Sequence, residues 1–170
     1  MMNEEEALIR SFVVKQKRDR LIELLSSQKQ RRKATATLAH FRDLDQRFVV
    51  RLRSNEQSPE SIARALRQRG ATDTCHVISE SAELDGKRLS LEVALEQVVG
   101  QGLGTLLSCV PGALGYFEGE GPGDRCILSR RAACVVLRKT QEAGELVPTS
   151  QKRARFCPSP ATLDPSVKKR

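Results

Sequence analysis

The sequence predicts an α+β fold, with N-terminal helices followed by a strand, a helix and a three-stranded antiparallel meander. Apolar residues near the N-terminus and in residues 91–99 recur every three or four positions, as on one face of a helix. Beyond residue 104, short apolar runs alternate with turns rich in glycine and proline, as in β-hairpins. The length of 170 residues fits one domain with appendages better than two complete cores.

The N-terminal segment, residues 1–53, is predicted to be basic, helical and packed on the core. Leu8, Ile9 and Phe12 share one helix face, and residues 21–25 resume the same periodicity. The polar residues 26–29 favour a break, although no glycine or proline enforces it, so one long helix is the alternative. A further helix is predicted over residues 32–42.

The next helix carries start and stop signals at both ends. Ser58 can cap it, Pro59 suits the first helical position, and Gly70 offers the left-handed residue that ends many helices. These signals predict a helix from residue 59 to just before residue 70. It is the first element of the predicted α+β core, residues 54–138.

A strand over residues 75–78 and a helix over residues 91–99, which Gly100 ends, are predicted next. Three meander strands follow, at residues 105–109, 114–118 and 125–129. Apolar residues occur on both faces of these strands, whereas the strands of a sheet with one face in water alternate between apolar and polar residues. We therefore expect cover on both faces, with helix 91–99 on one and the N-terminal helices or a second subunit on the other.

Residues 139–170 are predicted to be a disordered basic tail, because their composition offers little apolar surface to offset the entropy of ordering. Whether residues 131–138 join the sheet stays open. The formal charge of +8 is concentrated at the two ends of the chain. Residues 1–53 hold 13 Lys or Arg and 7 Asp or Glu, residues 54–130 hold 7 and 11, and residues 131–170 hold 9 and 3.

The five cysteines are an odd number with no export signal, which predicts reduced thiols and a cytoplasmic protein. No apolar run approaches the length that a membrane span requires, so no membrane partner is expected. Structural zinc sites usually draw on closely spaced ligand pairs, and the one close pair here, Cys75 and His76, would point to opposite faces of a strand. The glycine-rich loop 100–104 follows a helix and precedes a strand, the reverse of a dinucleotide-binding motif, and loop 119–124 lacks the Lys and Ser or Thr of a P-loop. We predict no metal site and no cofactor.

Two sets of residues could carry a function. Ser108 or Cys109 could act as a nucleophile with His76 as its base, as in a small thiol or serine hydrolase, if the fold brings them together. Basic side chains in residues 15–33 could contact nucleic acid or an acidic partner. They are Lys15, Lys17, Arg18, Arg20, Lys29, Arg31, Arg32 and Lys33.

A buried cysteine and a core histidine explain the first set equally well, and a solvated helix face explains the second. The leading expectation is therefore a small, non-catalytic interaction or regulatory module that binds a protein partner or itself. Sequence-independent nucleic-acid binding through helices 15–33 and the tail is the alternative, and a hydrolase is the second alternative. The acidic loop residues around positions 80–85 and 118–124 add a candidate cation or basic-partner patch.

Overall fold

The computed structural model describes residues 3–130. The predictions for residues 131–138 and for the basic tail 139–170 lie outside this range. Five α-helices are present in the described part, α1 (Glu4–Phe12), α2 (Lys15–Ser26), α3 (Arg31–Thr35), α4 (Pro59–Arg67) and α5 (Leu91–Val98). Six strands accompany them, β1 (Val49–Arg51), β2 (Thr74–Ser79), β3 (Arg88–Ser90), β4 (Thr105–Val110), β5 (Leu114–Glu118) and β6 (Cys126–Ser129).

The six strands form one antiparallel sheet in the order β1-β6-β5-β4-β2-β3. The predicted α+β class is confirmed, and β4, β5 and β6 are the predicted meander. The edge strands β1 and β3 were not predicted. Each has only three residues, which is too short to show an alternating pattern, and short edge strands expose few unpaired backbone groups.

The N-terminal helices are shorter than their periodicity indicates. The chain leaves the helix between α1 and α2, where Val13 forms a bridge with Leu44 and the Val14 amide donates to the Asp43 carbonyl. A second break at residues 27–30 confirms the predicted interruption. The prediction of one helix over residues 32–42 is wrong in its bounds, because α3 ends at Thr35 and a 3₁₀ turn covers Leu38–His40.

The caps of α4 agree with their sequence signals. The Ser58 hydroxyl accepts a hydrogen bond from the Ser61 amide at 3.2 Å, and Pro59 is the first helical residue. Gly70 follows the helix with φ of 94°, in the region that glycine enters most readily. Ser90 also stands immediately before α5, but its side chain makes no capping hydrogen bond.

Both faces of the sheet are covered by helices of the same chain. On one face, Ile78 and Leu106 join a core built with α1, α2 and α3. On the other face, Val77 and Leu107 join a core built with α4 and α5. This arrangement confirms the expected two-sided cover and explains why consecutive residues of β2 and β4 are apolar.

Helix α1 sits close to the sheet because β5 carries a glycine where they meet. A Cβ atom at Gly115 would lie 2.7 Å from the Leu107 carbonyl oxygen and 3.0 Å from Leu8 Cδ1. Both separations are shorter than ordinary van der Waals contact. Glycine at this position therefore lets α1 bring its side chains against β2 and β4, where the candidate site lies.

None of the helices within residues 3–130 has the length and apolar character that a membrane span requires.

Candidate functional site

A cluster of four charged or titratable side chains lies between the N-terminal helices and β2. We call Glu5, Arg31, His76 and Asp85 the polar cluster. Arg31 joins two carboxylates, with Nε donating to Asp85 Oδ2 at 2.6 Å and Nη2 donating to Glu5 Oε1 at 2.7 Å. His76 Nε2 donates to the same Glu5 oxygen at 2.7 Å. The cluster thus ties α1, α3, β2 and the loop after β2 together.

Local structure explains how each member reaches the others. Glu5 occupies the face of α1 that packs inward, three and four positions before Leu8 and Ile9. Asp85 stands at a turn, where Gly86 has φ of 75°, and its carboxylate also accepts from the Ser79 amide at 3.2 Å. The turn and the helix face together place two carboxylates at adjacent edges of the Arg31 guanidinium, Asp85 at Nε and Nη2 and Glu5 at Nη1 and Nη2.

The charges of the polar cluster stabilise each other. Burial by itself would raise the pKa of Glu5, but hydrogen bonds from His76 and Arg31 outweigh burial and lower that pKa from 4.5 to about 2. Hydrogen bonds to Asp85 and then to Glu5 raise the pKa of Arg31 further above its usual range. Glu5 and Arg31 therefore both stay charged at neutral pH.

The eight basic residues proposed as contacts divide into two groups. Arg31 is bound in the polar cluster, and Arg18 is half-buried with its Nε donating to the Val13 carbonyl at 2.7 Å. The other six are exposed, and no ion pair or hydrogen bond engages their side chains in the part of the chain that the structure describes. They are Lys15, Lys17 and Arg20 on α2, and Lys29, Arg32 and Lys33 at α3.

The exposed surfaces of α2 and α3 differ in charge. On α2 the exposed lysines and arginine are interspersed with Asp19 and Glu23, both exposed. At α3, by contrast, Lys29, Arg32 and Lys33 form a set that we call the basic triad. Arg31 points inward between its members, and its two carboxylate partners hold α3 so that Arg32 and Lys33 face solvent.

The structure brings His76 and Ser108 together and separates Cys109 from them. His76 and Ser108 are direct partners across β2 and β4, and both side chains lie on the face that α1 covers. Cys109 belongs to the core on the opposite face. Burial raises the pKa of its thiol far above the usual range.

Ser108, His76 and Glu5 are thus arranged in the order of a nucleophile, a base and an acid. They do not have the geometry of a working triad. Ser108 is 3% exposed, and its hydroxyl has no hydrogen-bond partner among the described residues. His76 donates to Glu5, and Arg31 holds the same carboxylate. A substrate would have to displace α1 to reach this hydroxyl, because Leu8 of that helix packs against the neighbouring Gly115.

A second buried carboxylate, Glu118, has a structural role on the other side of the molecule. It accepts hydrogen bonds from the Gly100 amide and the Tyr116 hydroxyl, each at 2.8 Å, and Arg125 lies 3.5 Å away. Burial and then the charge of Glu118 raise the pKa of Tyr116. Glu118 therefore fastens the end of α5 to β5.

Several acidic residues of the predicted patch have partners within the fold. Asp85 and Glu118 have the separate partners given above, and Glu120 lies 3.0 Å from His40. Within residues 3–130, no group of three or more potential ligand side chains could hold a metal ion.

Glu5 was not identified from the sequence as a site residue, although its helical spacing from Leu8, Ile9 and Phe12 placed it on the apolar face of the helix.

No protein-family model, curated protein or solved structure matches this chain. A function for it must therefore be inferred from the arrangement of its own side chains.

Proposed function

We propose that this chain is a non-catalytic interaction module that binds an acidic protein surface through the basic triad, Lys29, Arg32 and Lys33. The observation that carries the proposal is the placement of Arg31. Its two carboxylate partners neutralise it and anchor α3, whereas the side chains of its basic neighbours are exposed and make no ion pair or hydrogen bond within residues 3–130. Because Arg31 anchors α3, its exposed cationic neighbours can meet carboxylates without a further cost for ordering the helix backbone.

The remaining surface favours a charged interface over an apolar one. Both sheet faces are covered by the chain's own helices, so no second subunit is needed to bury them. Among the described residues, the large hydrophobic side chains that are exposed are Val93 and Leu103. An apolar self-association surface would need a contiguous patch of several such residues.

A protein partner is favoured over nucleic acid because of the charges on α2. Asp19 has an 87% exposed side chain, and Glu23 is exposed beside it. Both would repel phosphates if a nucleic acid followed the basic residues from α2 to α3. Protein surfaces of mixed charge can accommodate both signs, whereas a nucleic acid presents a uniform negative charge.

The test compares two triple variants of the full chain. The triad variant carries Lys29→Ala, Arg32→Ala and Lys33→Ala, and the control variant carries Arg53→Ala, Arg64→Ala and Lys87→Ala, which are also exposed. Both lose the same formal charge. The probes are fluorescent poly-glutamate and a fluorescent DNA duplex, each titrated across a salt series.

We expect the triad variant to bind poly-glutamate at least about fivefold more weakly than the control variant, which corresponds to about 1 kcal/mol. Equal binding by the two variants would overturn the proposal, because attraction would then follow net charge alone. Tighter binding of DNA that is lost in the triad variant, with a steep salt dependence, would replace it with the nucleic-acid function.

A further inference from the structure

Two buried cysteines occupy neighbouring strands of the sheet. The register between β2 and β4 pairs Ser79 with Thr105 and proceeds one residue at a time to His76 and Ser108. Cys75 and Cys109 are the next residues on the two strands, one step beyond this last pair, and β4 has an irregular register with β5 between Ser108 and Val110. Both thiols are buried in the core that α4 and α5 cover, at 0% and 2% exposure.

Two further contacts support this proximity. The Thr72 hydroxyl lies 2.8 Å from the Thr74 carbonyl and 2.8 Å from the Cys109 carbonyl, so it holds the start of β2 beside the end of β4. A thiolate at Cys75 would add to the effect of burial in raising the pKa of Cys109. Both cysteines belong to the same buried core.

The hydrogen-bond pattern indicates which kind of cross-strand pair this is. The Val77 amide and carbonyl bond on the β3 side, to Lys87 and Gly86. Backbone groups alternate along a strand, so Cys75 also directs its groups toward β3 and occupies a non-hydrogen-bonded position relative to β4. In a regular ladder such pairs have Cα separations of about 4.5 Å, within the range of roughly 4.4–6.8 Å that disulfides span, and Cys109 departs from regular geometry only through the irregularity between β4 and β5.

We propose that Cys75 and Cys109 are a modification site that forms an intramolecular disulfide in the presence of a low-molecular-weight disulfide such as oxidised glutathione. One cysteine thiolate attacks a glutathione sulfur, forms a mixed disulfide and releases one glutathione thiolate. The second cysteine thiolate attacks the protein sulfur of that mixed disulfide and releases the other. The two cysteines are oxidised, one glutathione disulfide is reduced to two thiols, and the thiol protons pass to the released thiolates.

Burial sets the conditions of the reaction. Desolvation raises the pKa of Cys75 to about 12 and that of Cys109 further, so few thiolates exist in the closed fold at neutral pH. Exchange should therefore proceed through opening of the core or during folding. Once formed, the disulfide bond would join β2 to β4 and would close a loop that contains the residues between Cys75 and Cys109.

The experiment uses two full-length variants that each keep two buried cysteines. The test variant, with Cys126→Ser, Cys134→Ser and Cys157→Ser, keeps Cys75 and Cys109. The control, with Cys109→Ser, Cys134→Ser and Cys157→Ser, keeps Cys75 and Cys126, which belong to cores on opposite faces of the sheet. Each is refolded from urea in a buffer of reduced and oxidised glutathione, then analysed by intact mass and by peptide mapping.

We expect the test variant to lose two hydrogens without retaining glutathione, to give a linked peptide pair, and to unfold at a higher urea concentration until a reductant is added. The control should stay reduced or carry glutathione. A test variant that stays reduced, carries glutathione or forms dimers would overturn the proposal. Equal intramolecular oxidation of the control would also overturn it, because the sheet would then impose no selectivity.

Discussion

Arg31 and Asp85 are 54 positions apart in the chain and are joined by two parallel hydrogen bonds of 2.6 and 2.9 Å. Bidentate pairs of this kind fix both distance and orientation. The same guanidinium binds Glu5, so one side chain links the first helix, the third helix and the loop that follows β2. The stability of the N-terminal half and the orientation of the basic triad both depend on it.

The first prediction concerns this linkage. Arg31→Ala should lower the free energy of unfolding by roughly 2–4 kcal/mol, because the substitution leaves the carboxylates of Glu5 and Asp85 without their cation. The loss should be smaller than for a fully buried ion pair, because the Arg31 side chain is partly exposed. Arg32→Ala, the adjacent exposed residue, should change it by less than about 0.5 kcal/mol. Urea unfolding of both variants measures the difference, and similar losses would contradict the structural role of Arg31.

The second prediction concerns acid pH. Because the folded state lowers the pKa of Glu5 from 4.5 to about 2, its carboxylate stabilises the protein fully above about pH 4.5. That stabilisation should disappear as the pH falls from 4.5 toward 2. The difference in unfolding free energy between the native chain and Glu5→Gln should therefore shrink across this window.

The pH dependence is measured by urea unfolding at a series of pH values. Glu23→Gln is the control, since Glu23 is an exposed carboxylate that forms no ion pair among residues 3–130. A difference between the native chain and Glu5→Gln that stays constant down to pH 3 would show that Glu5 is not held as a buried, paired carboxylate.

The third prediction separates a structural serine from a nucleophile. Ser108→Ala should leave stability unchanged or raise it slightly, because its buried hydroxyl has no hydrogen-bond partner within residues 3–130. Ser79→Ala should cost about 1 kcal/mol, since that hydroxyl bonds Thr105 Oγ1 at 2.8 Å and accepts from the Ser81 amide at 3.1 Å.

The same serine can be examined chemically. A fluorophosphonate probe, which labels activated serines, should fail to label the native chain at Ser108, because α1 covers the hydroxyl and His76 is bonded to Glu5. Rapid labelling that Ser108→Ala or His76→Ala abolishes would favour the hydrolase alternative over the interaction module.

The fourth prediction concerns the close approach of α1. Gly115→Ala should destabilise the protein by about 1–3 kcal/mol, because the new Cβ would crowd the Leu107 carbonyl and Leu8. Gly123→Ala is the matched control, since its Cβ would meet nothing within 4 Å. Thermal unfolding distinguishes the two, and equal effects would mean that α1 does not pack at Gly115 as described.

Local signals were sufficient for much of the fold. The α+β class, the caps of α4, the strands of the meander and the turn at Gly112, which has φ of 70°, all follow from residues close in sequence. The apolar character of both strand faces was enough to predict cover on both sides. These features depend on helix periodicity, capping chemistry and turn preferences, which act over a few residues.

The candidate site was predictable only in part. The polar residues around the basic triad in the sequence are consistent with its exposure. The inward position of Arg31, however, depends on its ion pair with Asp85. That ion pair forms only because α3 packs against the loop after β2. Glu5 carried a visible signal, since it shares a helix face with Leu8 and Phe12. Helical spacing could place it at the core but could not name its partners.

Residues close in sequence therefore specify the local elements and the faces that these elements bury. The pairing of β1 with β6 and of β3 with β2, the end of α1 at Phe12, and the neighbours of His76 depend on contacts between distant segments. The two sets of features differ in the range of the interactions that stabilise them. A three-residue strand, the Val13–Leu44 bridge and the Arg31–Asp85 ion pair are stable only when distant segments meet, and that meeting depends on the packing of the whole domain.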